Sequence, residues 1–326
     1  MSKKDNKCCK LSIGGQALIE GIMMQGPSGA AVSVRCPDGG IDTEKLEVKH
    51  IKDKIKFLGW PLIRGVVNYI ESMTFGYKCL MLSAEKSGLE DLDSSDEGSS
   101  KLDKWLSEHI NKKVMNVITG VASVIGVGLA FLLFFYLPTA AVNLLNNLTD
   151  GAVADFRALF EGIIRMTIFV AYIALVSLMK DIKRTFMYHG AEHKTIFCYE
   201  NGLELTVENV KKQSRFHPRC GTSFIFVIII ISVIISSIIS VTTTLHSNTV
   251  LWMGVKLLIL PLITGLSYEF IKYAGRHDNL LVKILAAPGL WMQRLTTREP
   301  DDDMIEVALE AFKAVLPDEE SDDDEA

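Results

Sequence analysis

The stretch SFIFVIIIISVIISSIISVTTTL, residues 223–245, contains no charged side chain. It is longer than the ~20 apolar residues that an α-helix needs to cross the hydrocarbon core of a bilayer. Residues 114–137 form a second uncharged run, and residues from about 158 to 179 and from about 250 to 268 are apolar with few charges. The sequence therefore predicts a mainly α, polytopic membrane protein with about four spans, which excludes a purely soluble protein.

Basic residues are distributed unevenly around the predicted spans. Residues 180–219 contain eight Lys and Arg residues, whereas residues 246–249, between the third and fourth spans, contain none. The segments before the first span and after the fourth are also basic. Because loops rich in Lys and Arg stay on the cytoplasmic side, we predict an inner (cytoplasmic) membrane protein with both termini and the loop 180–222 in the cytoplasm. The polar N-terminus predicts no cleavable signal peptide.

The remaining segments suggest a small cytoplasmic α+β region before the spans. Residues 31–36 and 41–48 flank a Pro-Asp-Gly-Gly turn and predict a β-hairpin. Residues 57–82 have the spacing of an amphipathic helix that lies at the membrane interface. We divide the chain into an N-terminal region (1–84), an acidic linker (85–104), a membrane domain with a His-rich cytoplasmic loop (105–298, loop 180–222), and an acidic C-terminal helix and tail (299–326).

Residues 279–295 are apolar but contain Pro288-Gly289, which predicts an interfacial or re-entrant segment rather than a fifth span. Asp301 to Asp303 are placed to cap a short helix that runs to Leu316.

The charge distribution limits the partners. The net charge is −5, and residues 299–326 alone carry −12, so residues 1–298 carry +7. A basic body suits the anionic inner leaflet of a membrane, and no basic stripe interleaved with aromatics indicates nucleic acid. We expect membrane lipids as partners, with a cytoplasmic protein bound through the N-terminal region or the acidic tail, and oligomerisation left open. The six cysteines lack a repeated spacing, which is typical of reduced cytosolic thiols.

The segment YHGAEHK, residues 188–194, is the strongest candidate for chemistry. His189 and His193 are four residues apart and share a face if the segment is helical, a spacing that can bind one Zn²⁺. The pattern H-x-x-E-H is similar to the inverted zinc-protease signature, in which the glutamate, here Glu192, is the general base. We expect the second span to continue as one rod as far as His189, with Thr185 or Asp181 orienting an imidazole.

A second group of candidate ligands lies in FHPRCGT, residues 216–222. His217 and Cys220 have the spacing of a chelating pair, and with His189 and His193 they make a His₃Cys set. Four protein ligands are typical of a structural zinc and three of a catalytic one, a choice that the sequence leaves open. Glu269 is an alternative third ligand, and Glu20, in a Gly-rich run, is a further candidate.

Charged residues also occur within the predicted spans. Glu161 and Arg165 are four residues apart and are expected to pair, and Lys256 interrupts the fourth span. Such charges face partners or water, so either a structural pair or a transport path fits them.

Four runs carry a resemblance to a known family: GGQALIEGIMMQGP (14–27), WPLIRG (60–65), HGAEHKTIFCYE (189–200) and HPRCGTSF (217–224). Together they resemble the YqhQ-like family of bacterial membrane proteins, described as predicted metal-dependent enzymes. The resemblance implies a multi-pass bacterial membrane protein whose core is the His-rich loop. It points to seven site residues: Glu20, His189, Glu192, His193, His217, Arg219 and Cys220.

Three function classes follow from these patterns. The first is a membrane-anchored, metal-dependent hydrolase that uses a divalent cation, zinc for preference, and acts on a lipid headgroup, a membrane-proximal peptide or a polyprenyl intermediate. The second is a non-enzymatic scaffold or assembly factor with a structural zinc. The third is an oligomeric transporter that uses the charges within the spans.

Overall fold

A computed structural model describes residues 13–48, 51, 55–88, 112–218, 220–274, 277 and 279–317. Within them, four helical stretches are long and apolar enough to cross a membrane: Gly120–Leu148, Ala154–Val176, Ile225–Thr242 and Thr249–Ala274. This confirms the mainly α, polytopic architecture. The first stretch extends eleven residues beyond its predicted end at Leu137. Most of the predicted linker 85–104 and of the acidic tail lies outside the described residues.

The strands and helices follow in chain order. The strands are β1 (Gly14–Leu18), β2 (Gly21–Gly26), β3 (Gly29–Arg35) and β4 (Ile41–Leu46). The helices are α1 (Ile63–Lys86), α2 (Lys112–Phe131), α3 (Leu137–Leu148), α4 (Arg157–Val176), α5 (Lys180–Glu200), α6 (Val207–Lys211), α7 (Thr222–Thr242), α8 (Thr249–Ala274), α9 (Leu280–Thr296) and α10 (Asp302–Lys313).

The N-terminal strands form one antiparallel sheet in the order β1-β2-β3-β4. The pair β3–β4 confirms the predicted hairpin, but β1 and β2 were not predicted. They are joined at a tight turn in which Glu20 has φ +49° and its carbonyl accepts a bond of 2.8 Å from the amide of Arg35. The first four residues of β2 are all buried, so the strand lacks the alternation that reveals a half-buried strand in a sequence.

The sheet is covered on both faces, which explains this burial. On one face, Ile22, Met24 and Ala31 share a hydrophobic core with α5, α6 and α10. On the other, Leu18, Met23, Val32 and Val34 pack with Cys79 of α1. Three segments far apart in the sequence, the sheet, the loop 180–222 and the C-terminal helix, therefore form one globular unit.

The first membrane stretch changes its helical pitch at a proline. Between α2 and α3, residues 132–136 form one π-helical turn. Pro138 has no amide hydrogen to donate to the carbonyl of Phe134. That carbonyl instead accepts a hydrogen bond of 2.9 Å from Nε of Arg165. The predicted pair of Glu161 with Arg165 is wrong, because Glu161 pairs with Arg157 and Lys256 instead.

The predicted rod from the second span to His189 is also wrong. The helix α4 ends at Val176, and α5 begins at Lys180 after an extended Met179 with ψ 137°. Short i to i−3 bonds from the amides of Leu178 and Met179 close the end of α4. The break separates α5 from the direction of the span and lets it pack against β1 and α10.

The remaining helices complete the bundle. The apolar α7 packs against α4, α8 and α9. The segment 279–295 forms the continuous helix α9 despite Pro288, and Asn279 caps it by accepting a bond of 2.9 Å from the amide of Val282. The predicted C-terminal helix is confirmed as α10, with Asp301 at its N-cap position, although the Asp301 side chain makes no capping bond.

Candidate metal centre

Two histidines of α5 face the segment that leads into α7. His189 and His193 lie one turn apart with ring centroids 4.4 Å from each other. Cys220, which lies two residues before α7 and is not in a disulfide, places its Sγ 3.3 Å from Nε2 of His189. One nitrogen of each histidine and this sulfur all lie within 4.8 Å of one another. The three residues are the group that the described part of the chain brings together at metal-ligand spacing.

Backbone carbonyls orient both imidazoles. Nδ1 of His189 lies 2.8 Å from the carbonyl oxygen of Thr296, and Nδ1 of His193 lies 2.6 Å from that of Arg215. Because a carbonyl only accepts, each Nδ1 donates the hydrogen and a neutral ring keeps its Nε2 lone pair. Nε2 of His193 is buried and has no hydrogen-bond partner among the described residues. The predicted orienting role of Thr185 and Asp181 is wrong, because the Thr185 hydroxyl donates to the Asp181 carbonyl along the helix.

The donor set fits a zinc ion. With Zn–N of about 2.0–2.1 Å and Zn–S of about 2.3 Å, a tetrahedral site holds a nitrogen and a sulfur ligand about 3.5 Å apart. The separation of 3.3 Å between His189 Nε2 and Cys220 Sγ is close to that value. A buried imidazole nitrogen without a partner is costly unless something binds its lone pair, and a cation would do so.

A glycine allows the C-terminal segment to cross α5 at this point. A Cβ on Gly190 would lie 2.0 Å from the carbonyl oxygen of Arg298. The amide of Arg298 donates a bond of 2.8 Å to the carbonyl of Phe186 on α5. This close crossing places the Thr296 carbonyl against His189, so the residue that lowers the helix propensity of α5 is also the one that lets the site form.

Glu192 lies beside the pair and is buried, with 5% of its surface exposed. Burial raises the pKa of its carboxyl to about 7, against the opposing effects of His189 and of the backbone amide of Gly15. A Cβ on Gly15 would lie 2.9 Å from the Glu192 carboxyl carbon, so β1 closes over this side chain. Oε2 of Glu192 has no hydrogen-bond partner among the described residues. The arrangement provides a carboxylate base next to the two imidazoles.

The other candidate residues are placed differently. His217 lies beside His193, with ring centroids 5.7 Å apart, but its Nε2 is 3.4 Å from a carboxylate oxygen of Glu200 and it is not one of the three converging residues. Glu269 accepts a bond of 2.6 Å from Nε of Arg64 on α1. Arg219 lies outside the described residues.

Glu20 ties the sheet to α5 rather than joining the three ligands. Its carboxylate accepts bonds from Arg184, one of 2.6 Å, and lies 3.2 Å from the hydroxyl of Tyr188. Burial first, and then the Glu20 charge, raise the pKa of the Tyr188 hydroxyl. Both partners lie within the turns of α5 that precede His189 and Glu192, so Glu20 positions the helix that carries the site.

Sequence reasoning missed the groups that hold the loop in place. The Gln293 side chain accepts a bond of 2.7 Å from the amide of His217 and donates one of 2.7 Å to its carbonyl. The carbonyls of Arg215 and Thr296 complete the support. A backbone carbonyl has no residue-type signature, and Gln293 lies 76 residues from its partner, so no local pattern reveals either.

Comparisons with known proteins agree with the motifs. A family model described as "Protein of unknown function (DUF1385)" matches residues 60–318, which include the four candidate spans and the three converging residues. The chain is 36% identical over 313 residues to "Uncharacterized protein YqhQ" of Bacillus subtilis (strain 168). That alignment covers 93% of this chain and 92% of the relative, and it confirms the YqhQ-like resemblance. No solved structure matches the chain.

Proposed function

The chain belongs to the DUF1385 family, and from this premise we propose that it is an integral membrane, metal-dependent hydrolase. The metal is a divalent cation, with zinc the best fit to two imidazoles and one thiolate. The observation that carries the proposal is the convergence of His189, His193 and Cys220 within 4.8 Å around the buried, partnerless Nε2 of His193.

Different residues of the chain have different roles in the proposed reaction. His189, His193 and Cys220 would hold the cation. A divalent metal bound there supplies Lewis-acid chemistry and activates water for attack. Glu192, on the same helix, accepts a proton from the attacking water and delivers it to the leaving group. Thr296 and Arg215 keep both rings in the ligating tautomer through their carbonyls.

The location of the ligands suggests the substrate class. Cys220 lies two residues before α7, and the third candidate span begins at Ile225 within that helix. The site is therefore at the end of a membrane helix, on the side that the basic residues assign to the cytoplasm. A lipid headgroup, a membrane-proximal peptide or a polyprenyl intermediate is the substrate that can reach it.

Metal analysis of the purified full chain tests the ligand set. We expect about one zinc per chain in the wild type and a loss of at least about tenfold in His193→Ala and Cys220→Ser, because each removes a ligand. His277→Ala is the matched control, since that exposed ring lies against Tyr273 at the end of α8. The absence of metal from the wild type, or equal metal in the ligand variants and the control, would refute the proposal.

A structural zinc in a scaffold or assembly factor is the second candidate. Its support is that the two rings bond to carbonyls of two other segments, at Arg215 and Thr296, so a metal would crosslink the cytoplasmic unit. Glu192→Gln separates the two functions. For an enzyme, it keeps the metal and loses hydrolysis of a chromogenic ester or phosphate, whereas for a scaffold it changes neither metal content nor partner binding.

A further inference from the structure

A second polar site lies at the other end of the membrane helices. A cavity of about 400 Å³ opens where α3, α4 and α8 meet. Its polar lining consists of Asn143, Asn146, Asn147, Arg157, Ser247 and Thr249. Arg157 begins α4, whose 20 residues span about 30 Å. Because α5 and the histidine cluster follow the far end of α4, the cavity and the cluster are on opposite sides of the bundle.

Arg157 forms the inner wall of the cavity and is 9% exposed. Its terminal nitrogen Nη2 donates to the side-chain oxygen of Asn143. Its Nε lies 3.4 Å from a carboxylate oxygen of Glu161, outside hydrogen-bond geometry, and is buried without a hydrogen-bond partner among the described residues. The buried amide oxygen of Asn146 also lacks a partner there. The Asn146 oxygen is an acceptor, so only the donors beside it, the Arg157 guanidinium and the NH₂ of the same side-chain amide, can bind an anion.

In the buried network next to Arg157, positive charges outnumber negative charges. Glu161 is 2% exposed, and its carboxylate contacts Nζ of the equally buried Lys256 and the indole nitrogen of Trp252, at 3.3 Å for the indole. Lys256 also donates a bond of 2.8 Å to the Thr139 hydroxyl. One carboxylate thus faces two cations, Arg157 and Lys256.

A third cation, Arg165, lies deeper: the charge of Glu161 also acts on it, but its hydrogen bonds go to neutral groups. Arg165 donates to the carbonyl of Phe134 and to the hydroxyl of Ser232, at 2.9 and 3.1 Å. Asp155, the nearest acid in the sequence to Arg157, is exposed and does not line the cavity. Uncompensated cations within a membrane helix bundle are costly and mark sites that take a partner of opposite charge.

The helix ends at the cavity differ in sign, because α4 and α8 begin there whereas α3 ends there, and Asn248 caps α8. The first amides of α4 have no side-chain cap, because the N-cap residue is Phe156. An uncapped N-terminus carries a partial positive charge and favours an anion. The α4 N-terminus acts in the same direction as the guanidinium of Arg157, the C-terminus of α3 opposes it, and the full charge of Arg157 exceeds both partial charges.

We propose that this cavity binds an oxyanion of the phosphate class, either free phosphate or the phosphate of an anionic lipid headgroup. Arg157 supplies the charge, and the side-chain NH₂ groups of Asn146 and Asn147 with the hydroxyl of Thr249 supply neutral hydrogen bonds, whereas the Ser247 hydroxyl already donates to the carbonyl of Thr244. The oxyanion cavity shares no residue with the metal centre, so its test is independent of the proposed hydrolase function.

Thermal unfolding of the full chain in nanodiscs tests this assignment in two arms. The first compares sodium phosphate with sodium chloride at equal ionic strength in phosphatidylcholine nanodiscs. The second compares phosphatidylglycerol with phosphatidylcholine nanodiscs without phosphate. We expect the unfolding midpoint to rise with the logarithm of ligand concentration above the Kd, by about 2–4 °C at roughly tenfold excess over the Kd. A rise in the first arm identifies a free oxyanion, and a rise in the second alone identifies a lipid headgroup.

Two asparagine variants attribute the rise to the cavity. Asn147→Asp places a negative charge on an exposed lining residue without touching the buried network, and it should weaken binding at least about tenfold. Asn201→Asp makes the same change at the exposed end of α5 and should leave the rise intact. Arg157→Gln should abolish the rise, and if that variant fails to fold, Asn147→Asp still decides. No rise in either arm, or equal rises in both asparagine variants, would overturn the proposal.

Discussion

The histidine cluster and the charged network around Glu161 are both buried and polar, yet they differ in what they leave unpaired. The cluster leaves lone pairs, and the network leaves positive charge. At the cluster, backbone carbonyls accept the Nδ1 hydrogens of both imidazoles, so each Nε2 keeps its lone pair. One nitrogen of each ring and the sulfur of Cys220 lie within 4.8 Å of one another. At the network, one carboxylate is shared by Arg157 and Lys256, so positive charge is left over. Burial alone therefore does not determine the ligand. From what the surrounding protein leaves unpaired, we expect a cation in the first region and an anion in the second.

Removing the single acid of the network gives the largest expected effect. Glu161→Gln leaves Lys256 and Arg157 buried without a counter-charge, and we expect a loss of about 3–5 kcal/mol in the free energy of unfolding. Adding Lys256→Met to Glu161→Gln should recover part of that loss, because the double variant no longer contains the buried Lys256 charge. Denaturant unfolding of the single and double variants measures both values, and a double variant less stable than the single one would contradict this account.

Removal of metal should affect only the other region. A chelator should lower the free energy of unfolding of the wild type by about 2.7 kcal/mol if free zinc had been present at 100 times its Kd. Cys220→Ser should show no such response, whereas Asn147→Asp should respond like the wild type. The comparison fails if the chelator destabilises Cys220→Ser as much as the wild type.

The crossing over α5 gives an intermediate effect. Gly190→Ala places a methyl group 2.0 Å from the Arg298 carbonyl oxygen, so we expect a loss of about 2 kcal/mol from overpacking together with a lower zinc content. Gly254→Ala on α8 is the matched control, because a Cβ there meets no atom within 4 Å. The control should be neutral or stabilised by up to about 1 kcal/mol. Equal stability and zinc content in the two variants would show that the crossing does not shape the site.

The pair between Arg64 and Glu269 should give the smallest effect. Their side chains are 26% and 27% exposed, and hydrogen bonding to Glu269 raises the pKa of Arg64. Solvent screening limits such a pair, so Arg64→Gln should cost about 1 kcal/mol or less, and the cost should shrink as salt is added. Zinc content should stay at the wild-type level in Arg64→Gln and in Glu269→Gln, whereas a loss of zinc in Glu269→Gln would reinstate Glu269 as a ligand.

Local patterns predicted part of the site correctly and misled elsewhere. The spacing of His189 and His193 places both rings on one face, as the structure confirms. The same kind of reasoning paired Glu161 with Arg165, which are also four residues apart. There the missing amide of Pro138 frees the Phe134 carbonyl for Arg165, while Lys256, 95 residues away, contacts Glu161. A spacing of four residues shows which side chains can contact each other on a helix. Competing partners from other segments determine which of those contacts form.

The sequence by itself determined the four apolar stretches, the β3–β4 hairpin and the histidine pair, because hydrophobic runs, turn residues and helical spacing act within a few residues. Only the tertiary structure decided that α5 is a separate helix from its span, that His189, His193 and Cys220 converge without His217, and that two carbonyls orient the rings. Those contacts join residues from 22 to 107 positions apart. They depend on how the sheet, α5 and α10 pack around one core, and such packing has no local signature.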